Sequence, residues 1–147
     1  MVNSFFRFLC DIIEWIGQLM GWDYQTASVY VGIYIFPIVC LVFPCILFIK
    51  TILYYQKSKN SHFLFSCFGV GSCFLLLCLF FSVYIAHYWA AGSLHNQYYA
   101  CMNDFRALST KTGFSYAELN VLFYAVFPFV IILSCWIMGW ALRRMRK

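Results

Sequence analysis

Over residues 3–20 the polar side chains Asn3, Arg7, Asp11, Glu14 and Gln18 recur at three- and four-residue steps, while Phe5, Leu9, Ile12, Ile16 and Leu19 take the opposite side. That period predicts an amphipathic helix. Arg7, Asp11 and Glu14 sit near its middle, where each would cost about 2.5–3.5 kcal/mol at a bilayer centre. The helix is therefore expected in the membrane interface or against partner helices, not across the bilayer.

The pattern then turns to unbroken apolarity. Residues 28–49 carry no charge and reach about 33 Å as a helix, enough for a hydrocarbon core of about 30 Å. A longer run, 63–91, ends near Tyr88 and Trp89, which suit an aromatic belt. The mixed stretch 95–112 repeats Tyr98, Met102, Phe105 and Leu108 at helical spacing and predicts a second interfacial helix. Residues 119–142 form a third uncharged run. The expected fold is an all-α membrane protein: one membrane domain, residues 1–147, with three transmembrane helices and two amphipathic interfacial helices.

Glycine and proline refine this outline. Pro37 and Pro44 in the first span and Pro128 in the third each remove a backbone donor and bend the helix, so neighbours must satisfy the freed carbonyls. Gly69 and Gly71 predict close helix packing in the second span. The stretch Gly21-Trp22-Asp23-Tyr24, with Val29 following, parallels Gly113-Phe114-Ser115-Tyr116, with Val121 following. Each follows an amphipathic segment and precedes a Phe-Pro pair. Glycine would end the interfacial helix in a left-handed turn, Asp23 or Ser115 would cap the span, and Ser115 with Glu118 would close a capping box. A true duplication would be a parallel internal repeat about an axis along the membrane normal. The alternative is that any helix entering a membrane from an interfacial helix favours glycine, an aromatic and a cap.

Composition agrees with the pattern. The chain is 64% hydrophobic, 22% aromatic and 10% charged, against about a quarter charged in soluble domains. The net charge of +5 does not point to nucleic acid, because the bases are split between membrane-flanking positions. Lys50, Lys57, Lys59, Arg143, Arg144, Arg146 and Lys147 fall on one side. Asp11, Glu14, Asp23, Asp104 and Glu118 fall on the other, with Arg7, Arg106 and Lys111. The positive-inside rule then predicts a multi-pass cell-membrane protein with its N-terminus outside and C-terminus cytoplasmic. The seven bases could also touch anionic head groups or a partner, although orientation alone accounts for them.

Candidate chemistry is sparse. Of eight cysteines, Cys40, Cys45, Cys67, Cys73, Cys78 and Cys135 lie in apolar runs and read as small hydrophobes. Cys10 and Cys101 occupy nearly equivalent places and would either pair in an oxidising compartment or stay as thiols. No cleavable leader is expected, since charges interrupt the first apolar stretch. His87 reads as a proton-relay residue or a hydrogen-bonded belt residue, and His62 and His95 are assigned to connections. No catalytic, cofactor-binding or metal-binding constellation stands out.

The expected function is a small, non-enzymatic membrane subunit, partnered by the lipid bilayer and by further copies or other membrane subunits. A homo-oligomeric pore or membrane-perturbing effector is the alternative, gated by apolar or lined by small polar side chains. An enzyme or small transporter lacks the triad, redox pair or intramembrane carboxylate it would need.

Overall fold

The computed structural model describes residues 2–58 and 61–145. Its helices are α1 Val2–Met20, α2 Tyr24–Val29, α3 Phe36–Ser58, α4 Ser61–Trp89, α5 Leu94–Thr112, α6 Tyr116–Val121 and α7 Phe127–Met145. Wide π-helical turns over Tyr30–Ile35 and Leu122–Val126 join α2 to α3 and α6 to α7. The result is five continuous helices and, among the described residues, no strand. Three are long and apolar enough to cross a membrane: Tyr24–Lys57, Leu64–Trp89 and Tyr116–Arg144.

The first of these overruns its expected end. Residues 50–58 contain no glycine or proline to stop a helix, and the Thr51 hydroxyl donates to the Leu47 carbonyl at 2.7 Å within it. Lys50 and Lys57, beyond the expected end of the span at residue 49, are therefore helical, while Lys59, Arg146 and Lys147 fall outside the described residues. His62 and His95 likewise belong to the opening turns of α4 and α5 and not to connections.

The chain divides into two compact units, with boundaries at the Phe36-Pro37 and Phe127-Pro128 steps and within α4 between Ser82 and Val83. One comprises the chain up to Pro37 with Val83–Phe127, and the other Ile38–Ser82 with the chain from Pro128 onward.

In the first unit the two glycine-led segments adopt the same sequence of elements. Gly21 and Gly113 turn the chain at φ 69° and 77°, a left-handed conformation that glycine enters without steric cost. Ser115 closes a full capping box with Glu118, each bonding the other's backbone amide. Asp23 departs from its expected role. It holds the N-cap position with extended backbone but makes no capping bond; its carboxylate turns chiefly to the Thr26 hydroxyl, which holds its pKa below the ordinary value.

The π turns are the local answer to Pro37 and Pro128. A proline ring clashes with the carbonyl four residues back and offers no N–H. Just before each proline the helix widens, so that Phe36 N–H bonds Val31 O and Phe127 N–H bonds Leu122 O, five residues back. The two segments differ by one residue between Val and Phe-Pro, and the π turns, six and five residues long, absorb that difference. Pro44, by contrast, sits within α3 itself.

The packing of these segments is reciprocal: α1 lies on α6, and α5 lies on α2. Phe6 meets Tyr116 edge-on at 5.9 Å, and Tyr24 meets Tyr98 edge-on at 6.5 Å. Phe6 and Tyr98 stand at matching positions when counted from Gly21 and Gly113, as do Tyr24 and Tyr116. The two contacts are thus counterparts, with the members of each pair exchanged.

The apolar arc of α1 divides in a way that spacing alone did not separate. Phe6, Leu9, Cys10, Ile13, Ile16 and Gly17 are the more sheltered face, whereas Phe5, Phe8, Ile12, Trp15 and Leu19 form an exposed stripe. Arg7, Asp11, Glu14 and Gln18 complete the circumference.

In the second unit Leu47, Val70 and Leu142 form the core, bringing α3, α4 and α7 together. Gly71 makes the close approach: a Cβ there would stand 2.8 Å from Phe48 Cε2, and the Phe48 ring is itself stacked on Phe74 at 5.9 Å. Gly69 does not share that role, since nothing lies within 4 Å of where its Cβ would be.

Candidate functional site

The polar chemistry of the first unit gathers around Gly32. Its carbonyl loses both helical donors, because Phe36 N–H is spent on Val31 O and Pro37 has no N–H. The Tyr84 hydroxyl supplies the missing donor from α4 at 3.2 Å. This is the neighbour that a proline-interrupted apolar helix requires.

Proton counting gives the network a direction. Tyr84 has one hydroxyl proton and gives it to Gly32 O, so at its 3.3 Å contact with the Tyr124 hydroxyl it accepts. Tyr124 in turn accepts from the Cys101 thiol, 3.6 Å away. Gly32 is also closely approached: a Cβ there would stand 3.2 Å from Tyr124 Oη, so the tyrosine would have to give by a few tenths of an ångström. Phe105 stacks on Tyr124 at 5.7 Å and closes the cluster from α5.

A second polar group lies nearer the surface. His87 Nε2 and Asp104 Oδ2 are 2.9 Å apart, with side chains 61% and 50% exposed. Tyr84, His87 and Tyr88 share one face of α4 at helical spacing, and Cys101 and Asp104 share one of α5. Burial pushes the Cys101 thiol above its ordinary range and keeps it protonated, the opposite of what a nucleophilic cysteine needs.

Between these groups is a cavity of about 380 Å³. Phe105, Leu108, Leu119, Leu122, Phe123 and Phe127 line it together with Tyr84, Tyr88 and Asp104, and the surface they present to it is mainly apolar.

The residues singled out from sequence are dispersed. Gly21, Trp22, Asp23 and Tyr24, and Gly113, Phe114, Ser115, Tyr116 and Glu118, build turns and caps beside the cluster and do not contribute to it. Pro37 contributes indirectly, by orphaning the Gly32 carbonyl. Lys50, Lys57, Arg143 and Arg144 are exposed, with the Arg144 guanidinium 4.0 Å above the Trp140 ring. Cys10 and Cys101 are free thiols. His95 pairs with Gln25 at 2.9 Å, and among the described residues no group of three or more His, Cys, Asp or Glu is placed to hold a metal ion.

Tyr84, Tyr124 and Asp104 were not picked out by motif reasoning, because their relation is tertiary. The available signal was the Tyr84, His87 and Tyr88 face on an otherwise apolar helix. No protein-family model, curated protein or solved structure matches this chain.

Proposed function

We propose that the protein is a small, non-enzymatic integral membrane protein that works as a subunit of a membrane assembly, either with further copies of itself or with other subunits. The observation that carries this reading is the unoccupied face of α7. The most apolar stretch of the third long helix contains no buried residue. Phe129, Leu133, Trp136 and Trp140 form an exposed stripe along it.

Trp136 is the most informative of these. It is 68% exposed and lies eight residues before Arg144, about 12 Å below that end in helical rise. That depth is beneath the aromatic belt, where an indole N–H usually takes a protein partner. Lipid can cover apolar side chains but offers little to the N–H.

The same reading places α1 and α5 in the interface. The exposed stripe of α1 beside Arg7, Asp11 and Glu14 suits the headgroup boundary. The reciprocal contacts of α1 with α6 and α5 with α2 favour a parallel internal repeat about an axis along the membrane normal. The basic residues Lys50, Lys57, Arg143 and Arg144 support, by the positive-inside rule, a cell-membrane protein with its C-terminus in the cytoplasm.

The test is the mass and composition of the particle extracted from native membranes in mild detergent. Fixed-ratio co-purification with other polypeptides, or a discrete multimer of this chain, supports the proposal. A closed ring that also conducts ions in liposomes would make it a pore, and a monodisperse monomer would overturn the subunit reading.

A further inference from the structure

The cavity in the first unit has a feature that the subunit reading does not use. At about 380 Å³ it falls within the range of small-molecule sites, roughly 300–1,000 Å³. Six of the nine described residues lining it are leucine or phenylalanine, and among the nine the one acidic or basic residue is Asp104. Its carboxylate is half exposed and makes its ion pair with His87, a group whose charge depends on its protonation. Arg106, two residues on, falls on another side of α5 by helical spacing and is not among the residues lining the cavity. Lys111 shares the Asp104 face but lies seven residues away, about 10 Å in helical rise. An apolar chamber with an acidic group and tyrosine rings at its wall is therefore complementary to a tail bearing a positive head, which Asp104 attracts and Tyr84 and Tyr88 can face with their rings.

We propose that this cavity binds a single-chain amphiphile with an ammonium head, its tail against Leu119, Leu122 and Phe123 and its head at Asp104. The residues that form the site all come from this chain.

The experiment uses the full chain in phosphatidylcholine nanodiscs, with bound amphiphile counted by native mass spectrometry. Three probes share a twelve-carbon tail: dodecyltrimethylammonium, dodecanol and dodecanoate. The expected result is one saturable site that takes the ammonium probe about tenfold more tightly than either other. Asp104→Asn should remove that preference while leaving tail binding. Leu122→Trp should fill the chamber and abolish saturable binding of all three. Equal binding of the three probes, an unchanged preference in Asp104→Asn, or uptake that never saturates and follows the lipid content of the disc would each overturn the proposal. Asp104→Asn changes a half-exposed side chain, so the charge test stands even if the tryptophan variant does not fold.

Discussion

Gly69 and Gly71, two residues apart on α4 and so on opposite sides of it, should respond oppositely to the same substitution. In a helix interior, Gly→Ala is worth about 0.5–1 kcal/mol of stabilisation through backbone entropy and propensity. At Gly69 nothing opposes that gain, because the added methyl would stand in open space. At Gly71 the methyl would stand 2.8 Å from the Phe48 ring, and that ring cannot swing away without leaving its stack on Phe74. Overpacking of this kind costs about 1–3 kcal/mol. Comparing the two variants cancels the propensity contribution and leaves the steric one. With about 2–4 °C of Tm per kcal/mol for a chain of this length, Gly71→Ala should melt about 2–12 °C below Gly69→Ala. Thermal unfolding in one detergent, followed by near-ultraviolet circular dichroism, reads the aromatic packing involved. Melting points within 1 °C of each other, or a more stable Gly71→Ala, would refute the close approach of α4 to Phe48.

The left-handed turn at Gly113 (φ 77°) predicts that Gly113→Ala costs about 1–2 kcal/mol, while Gly113→Asn costs less; paired thermal melts check the order. Ser115→Ala removes the capping box and should cost about 0.5–2 kcal/mol, measured the same way. Tyr84→Phe leaves the Gly32 carbonyl without its donor and should cost about 1–3 kcal/mol; an unchanged melting point would mean that the carbonyl finds another partner. The Asp23 carboxyl is held below its ordinary pKa, so its contribution is complete above the unfolded-state value and is lost as pH falls through the folded one. Melts between pH 7 and pH 3 should therefore fall less steeply for Asp23→Asn than for the parent.

Much of the architecture was legible because its signals are local. Periodicity marked α1 and α5, unbroken apolar runs marked the three long helices, and Gly113 with Ser115 and Glu118 announced a turn and a cap through side-chain chemistry that needs no distant partner. Asp23 shows the boundary of such reasoning: the residue type suits a cap, yet a neighbouring threonine captures its carboxylate. The prolines signalled an interruption but not its form, since a Phe-Pro step can bend a helix or widen it into a π turn. The sharing of α1's apolar arc between a packed face and an exposed one depends on what lies against it. The Gly32, Tyr84 and Tyr124 network joins residues from three distant stretches of the chain, and no spacing rule connects them.

The subunit reading rests on what covers the exposed face of α7, and a photocrosslinking residue in place of Trp136 reports on that directly. Irradiated in native membranes, it should yield a protein adduct of defined mass, either a multiple of this 17.3 kDa chain or this chain joined to one other polypeptide. Adducts to lipid alone, with no protein band above the monomer, would contradict the account.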